Sequence, residues 1–264
     1  MKSIEPKVYL IGTPSVVPNE IAAYLAEIGA SNAWLDRVTS EEATDGEQLV
    51  EFSARLCYRS FEAGLNQNVT KVRKDSAEYL ANILNQRHGS VLEHAYYVFI
   101  LHGVSRVLTH EWVRHRVGIS ISQESMRYVR LDELPFWVPE WARNDPELMT
   151  EIARKLDADE RFMAFLNEHL GVNDSAAGFA HKKAMTSFVR RFCPMGVGTS
   201  MVWGANLRAL RHVIELRADA AAEEEARLVG RLVYEAVRRH APNLFADYVV
   251  TPDAFTVSTE KRKV

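Results

Sequence analysis

The segment Ala95–Leu101 reads Ala-Tyr-Tyr-Val-Phe-Ile-Leu, a dense run of aromatic and β-branched residues and the strongest strand signal in the chain. Most of the rest has helical spacing. Glu20–Ile28 repeats apolar residues at Ile21, Tyr24, Leu25 and Ile28, and Ser76–Gln86 does so at Tyr79, Leu80, Ile83 and Leu84. Leu49–Tyr58, Pro146–His169, Ala180–Phe192 and Leu207–His240 read as further helices, the last with a break near 220–225. Ser105 is placed to cap a helix from Arg106 to about Arg116. Val8–Ile11 is a second, short strand. The segments 37–48, Asn66–Lys74 and 132–148 read as loops, and Ser120–Tyr128 as loop or extended chain. The sum is an α+β fold: one helix-rich domain with a small sheet over residues 1–250. A tail, 251–264, is expected to fray.

Composition narrows the function classes. The 264 residues are 47% hydrophobic and 25% charged, which supports a sizeable core and excludes disorder. The net charge is −3, so no global attraction to nucleic acid or membrane surfaces operates, and an anion site has to come from locally clustered arginines. Cys57 and Cys193 are too few for a disulfide framework or a four-thiolate zinc site. No signal peptide is apparent, and the longest uncharged run, Phe192 to Leu207, holds a proline and three glycines. It is shorter than the roughly 20 residues that span a bilayer. A cytoplasmic location is expected.

Three constellations carry possible chemistry. Arg114, His115 and Arg116 close the helix after Ser105 and suit either an anion or a solvated basic turn. Next come Ser120, Ser122, Glu124, Ser125, Met126, Arg127, Tyr128 and Arg130. Hydroxyls beside guanidiniums make a phosphate cradle, or a polar loop paired with acidic neighbours. Arg217 lies eleven residues after Asn206, on a stripe with Leu210 and Val213, where a guanidinium is costly unless paired. Either it acts on a ligand or it bridges to an acid near Asp219. Arg208, His212 and Glu215 share the opposite face. The segments His88–His94 and His110–His115 tempt a zinc reading, but their histidines are not at the i, i+4 spacing of a helical metal pair. Cys193 reads as a packed small hydrophobe. No phosphate-binding glycine loop of the Rossmann or P-loop type is present.

In order, Arg-His-Arg at 114–116, Ser-x-Arg-Tyr at 125–128, Asn-x-Arg at 206–208 and Leu-Arg-Ala-Asp at 216–219 resemble the flavin-dependent thymidylate synthases. Ala54–Arg55, the His88–His94 segment and Arg190 before Pro194 extend the match over roughly 54–227. Three features depart from the family pattern, one being a chain longer than compact members in the N-terminal segment and around 132–180. The spacing after Arg-His-Arg is eight residues to Ser125 rather than seven, and Ala222–Arg227 has Glu223 where the family has glutamine.

The resemblance implies an α+β homotetramer that methylates dUMP at C5. Methylenetetrahydrofolate would supply the carbon, and NADPH the electrons, through FAD. It implies that Ser90, Glu93, Arg114, His115, Arg116, Gln123, Asn206, Arg208 and His212 contact FAD. Glu111, Arg114, Gln123, Glu124, Ser125, Met126, Arg127, Arg190 and Arg217 would hold dUMP. His88 and Arg217 would be the catalytic residues, Arg217 meeting the uracil ring where negative charge develops. UMP or another pyrimidine nucleotide as substrate, and a non-catalytic nucleotide-binding homologue, remain the alternatives.

Overall fold

The computed structural model describes every residue except 1, 42, 70, 130–132, 252–255 and 263, so Arg130 and part of the tail lie outside the described residues. In chain order the elements are β1 (Lys2–Ser3), β2 (Lys7–Gly12), α1 (Pro18–Glu27), α2 (Ala33–Ser40), α3 (Asp45–Tyr58), α4 (Ser76–Asn85) and β3 (Tyr96–Ser105). There follow α5 (Arg106–Trp112), β4 (Ile119–Gln123), β5 (Pro135–Phe136), α6 (Glu140–Arg143), α7 (Pro146–His169), α8 (Phe179–Val189) and β6 (Gly198–Asn206). The chain closes with α9 (Leu207–Arg217), α10 (Glu224–Val237), β7 (Tyr248–Val250) and β8 (Val257–Thr259).

Four strands form an antiparallel sheet in the order β2-β3-β6-β4. The expected strand Ala95–Leu101 is thus the N-terminal part of β3, a central strand. Its alternation decides which face is buried. Tyr97, Phe99 and Leu101 stand opposite Ala205, Trp203 and Met201 of β6, and all six are buried. They pack beneath α3, α4, α5, α9 and α10. Trp203 anchors this layer, with ring centroids 5.7 Å from Phe99 and 5.8 Å from Trp112. The other face, with Tyr9, Ile100, Val202 and Ser122 in register across the four strands, is half open.

The two central strands each launch a helix without a loop. Ser105 ends β3 and caps α5, its hydroxyl accepting from the Leu108 amide at 3.0 Å. Asn206 ends β6 and caps α9 through the Ala209 amide at 2.9 Å. Ser105 and Asn206 lie at opposite ends of the β3–β6 pair, so α5 and α9 start from opposite edges.

Several expectations are corrected. The polar stretch 37–48 is not a loop: α2 buries Trp34, Leu35 and Val38, and a Thr44–Glu47 capping box starts α3 at Asp45. β6 lies within the run read only as uncharged, since its glycines mask the strand pattern. Helix α5 stops at Trp112 rather than Arg116. The segment 132–148 contains α6 and buries Leu134 and Val138. The tail does not fray over its described part: β8 pairs with β7, and Val264 is buried. Glu215 shares a helix face with Arg208 and His212 but is buried there, accepting from the Tyr248 hydroxyl at 3.3 Å.

Arg211 of α9 secures this last segment. It is fully buried, donates to both carboxylate oxygens of Asp247 at 2.9 and 2.8 Å and to the Leu244 carbonyl at 2.6 Å, and lies 4.7 Å over the Tyr248 ring. Arg211→Ala leaves Asp247 without its cation. We expect it to cost about 3–5 kcal/mol in urea denaturation followed by circular dichroism.

Candidate active site

Helices α5 and α9 converge at their C-terminal ends, and Arg217 closes the gap. Its Nη1 donates to Glu111 Oε2 at 2.5 Å, its Nη2 to the Glu111 carbonyl at 2.9 Å, and its Nε to His115 Nε2 at 3.0 Å. The guanidinium therefore sits at the negative ends of two helices and shares the Glu111 carbonyl with the Arg114 amide, which donates to it at 3.3 Å. The acid that pairs with it is Glu111, not one near Asp219. His115 accepts through Nε2, which leaves its ring proton on Nδ1. Burial, the Arg217 charge and then His212 push the His115 pKa down to about 4, so the ring is neutral at pH 7. The His212 ring stands edge-on to it at 5.9 Å.

The turn between α5 and β4 carries the basic triplet. Since α5 ends at Trp112, Arg114 and Arg116 are exposed turn residues, not opposite faces of a helix. Gly118 follows with φ +70°, and a Cβ there would lie 2.4 Å from Asn206 Nδ2. The Gly118 carbonyl accepts from the Asn206 amide at 2.9 Å.

One face of α5 lines a cavity of about 300 Å³: Arg106, Thr109, His110 and Val113 recur at helical spacing. Gln123, Met126, Arg190 and Arg191 face them across it. Among the described residues no carboxylate lines this cavity, and Arg106 Nε is buried without a hydrogen-bond partner. Those donors suit a phosphate. Gln123 Nε2 donates to Thr109 Oγ1 at 3.2 Å, and the Glu124 carbonyl accepts from Arg106 Nη2 at 3.0 Å. Arg127 turns to α8 instead, donating to Ser187 Oγ at 3.0 Å, while its amide donates to Ser125 Oγ at 3.3 Å. Burial pushes the Cys193 thiol beside the cavity up to about 11, the opposite of an activated nucleophile.

A second cavity, of about 390 Å³, groups His88, Ser90 and Arg208 with Tyr58 and Arg87. Arg208 Nη1 donates to Glu93 Oε1 at 2.6 Å. The two cavities share no lining residue, and α9 links their neighbourhoods, carrying Arg208 near its start and Arg217 at its end. Among the described residues no group of three His, Cys, Asp or Glu is placed to hold a metal ion.

Residues 39–243 match the family model described as thymidylate synthase complementing protein. A flavin-dependent thymidylate synthase of Corynebacterium efficiens is 34% identical over 226 residues, 84% of this chain and 85% of the relative. That of Mycobacterium avium is 35% identical over 239 residues, 88% and 92% of the two chains. The chain belongs to the flavin-dependent thymidylate synthases. It is therefore an enzyme of that family. The fold agrees with solved structures of the UMP/dUMP methylase PolB from Streptomyces cacaoi, bound with 5-Br UMP or 5-Br dUMP. Their TM-scores are 0.60 and 0.61 at 15% and 17% identity, each covering 93% of this chain and 95% or 96% of the other.

Sequence reasoning missed Arg106, Thr109, His110 and Arg191 as cavity residues of this thymidylate synthase. The polar i, i+3, i+4 spacing of the first three was the available signal. It also gave no role to Glu225, which is buried and accepts from both the amide and the hydroxyl of Ser105, the residue that caps α5. Burial raises the Glu225 carboxyl to about 7 against the lowering effect of those hydrogen bonds.

The neutral His115 has a signature in pH. The unfolded chain protonates it near pH 6.5, whereas the folded chain resists until about pH 4. Between those values the unfolded state binds the extra proton, so stability falls as pH falls. Glu225 runs the other way: its raised pKa makes stability fall as pH rises through about 7. Comparison with His115→Gln isolates the histidine. Between pH 7 and pH 4 the parent should lose roughly 2–3 kcal/mol more than the variant in urea titrations. Parallel losses would mean that His115 is solvated.

Proposed function

We propose that the enzyme converts dUMP to dTMP by reductive C5-methylation, a methyltransferase reaction with methylenetetrahydrofolate as carbon donor and NADPH as electron source through FAD. The observation that carries this reading is Arg217, a guanidinium fixed by Glu111 and His115 at two helix ends. A cation held in place before the reaction can stabilise charge that develops on a pyrimidine, and needs no reorganisation to do so. His115, kept neutral by its surroundings, adds no competing proton donor beside it.

The donor sets fit the two nucleotides. Arg114, Arg116 and Arg208, with His115, His212, Asn206, Ser90, Glu93 and Gln123, are the residues that would hold FAD, their cations suiting its pyrophosphate. When bound, FAD supplies the hydride that a protein side chain cannot. The cavity of Arg106 and Arg190, with Gln123, Glu124, Ser125, Met126 and Arg127 around it, would take dUMP. Arg106 Nε gives the phosphate a buried donor that otherwise has no partner. Arg114, Glu111 and Arg217 would complete the pyrimidine side, and His88 would stand by the flavin. Residues 1–250 would act as one catalytic domain in the cytoplasm. The half-open sheet face, with Tyr9 48% and Val202 39% exposed, would be covered by further copies in a homotetramer. Sedimentation of a fully active monomer would reject that assembly.

Purified protein should be yellow and should form dTMP from dUMP, with UMP as the competing substrate in the same assay. For Arg217→Lys we expect retained flavin and methyl transfer slowed by roughly 10²–10³-fold, the size typical of losing one donor aimed at developing charge. The lysine keeps the charge but not the planar fork that spans Glu111 and His115. Stopped-flow flavin reduction by NADPH should change much less. An equal fall in both steps would make Arg217 a structural or flavin-binding residue.

A further inference from the structure

The Tyr58 and His88 rings lie nearly parallel, with centroids 6.1 Å apart and planes inclined by 22°. Each ring borders a left-handed residue that ends a helix, α3 or α4. Arg59, which follows Tyr58, has φ 48°, and Arg87, which precedes His88, has φ 55°. These are the two non-glycine residues with positive φ among the described residues. Such conformations cost of order 1–3 kcal/mol each and concentrate at ligand clamps and active sites.

The ring pair separates two cavities, both of which it lines. On one side is the Ser90 and Arg208 cavity of about 390 Å³. On the other is a larger one, of about 470 Å³, lined by Asn68, Lys71, Arg73, Asn82 and Gln86. Among the described residues no Asp or Glu lines this second cavity, although acids outnumber bases in the chain. Arg73 is shared with Glu78 at 3.2 Å, and Arg55 is taken up by Glu51 and by the carbonyls of Ser60 and Arg73. Lys71 is exposed at its rim.

We propose that this cavity is an annex for the anionic tail of an aromatic co-substrate, whose ring stacks on the Tyr58–His88 pair beside the flavin that Ser90 and Arg208 would hold. This rests on the reaction proposed above. Two of its co-substrates share the required chemistry: a folate carrying several glutamate carboxylates, and NADPH with its 2′-phosphate. A ligand ring has room on the open side of Tyr58, which is 49% exposed. Amides of Asn68, Asn82 and Gln86 donate to carboxylate or phosphate oxygens, and Lys71 sets the sign of the field.

The experiment measures binding to the flavin-loaded protein by titration calorimetry. One arm compares mono- and triglutamyl 5-formyltetrahydrofolate, which cannot donate its carbon in this reaction. The other compares NADP+ with NAD+, which differ in the same 2′-phosphate and cannot reduce the flavin. The parent should prefer the tailed member of one pair by roughly three- to tenfold, and the preference should shrink at high salt. Lys71→Glu should abolish it. Lys155→Glu, the same charge change on the exposed side of α7, should preserve it. The arm that responds names the tail. Absence of a preference in both arms, or a preference indifferent to Lys71→Glu and to salt, overturns the annex. Because the readout is binding, a protein that shows the preference yet methylates neither dUMP nor UMP would reject the proposed function and leave the annex standing.

Discussion

The contact of Arg217 with Glu111 and His115 sets the geometry of the whole site. It joins the C-terminal ends of helices that leave the sheet at opposite edges, α5 from β3 and α9 from β6. A guanidinium on an apolar stripe would be expensive alone. Here a carboxylate, a carbonyl at a helix end and a neutral imidazole offset that cost, and two helix dipoles point their negative ends at it. The same contacts hold the imidazole in one tautomer and raise the cost of protonating it.

Strict geometry at that junction depends on where each helix begins. Asn206 fixes the start of α9, and its side chain lies so close to Gly118 that no other residue fits there without displacement. Ser105 fixes the start of α5 and is itself held by the buried Glu225 at the N-terminus of α10. A carboxylate at a helix N-terminus is favoured by the dipole, yet burial dominates and raises its pKa. The stretch Ala222–Arg227, in which Glu223 departs from the family's glutamine, thus acts through Glu225 and Ser105 on the helix that carries Glu111.

Much of this was legible in the sequence, and the failures have physical causes. Long periodic helices such as Pro146–His169 were read to the residue, because their apolar spacing is unambiguous and Asp145 caps the first turn. Ser105 and Asn206 each stand directly before a run with helical spacing, but only Ser105 is read as a cap from the sequence. Strand β6 was missed because Gly198 and Gly204 remove side chains from the pattern that defines a strand. Gly204 is there because a Cβ would meet the Tyr96 ring at 2.8 Å. Helix α2 was missed because its three buried residues sit beside a longer polar stretch.

The motifs do not show how the fold groups their residues. Arg114, His115 and Arg116 are adjacent in sequence, yet His115 turns inward to Arg217 while its neighbours face solvent. The reason is the early stop of α5. Once the helix ends at Trp112, tight turns bring the Arg114 amide to Glu111 and the His115 amide to Trp112. A three-residue basic triplet is thereby split between an internal hydrogen-bond acceptor and two external cations. That division lets a short turn meet the half-buried Arg217 on one side and present Arg114 and Arg116 to solvent on the other.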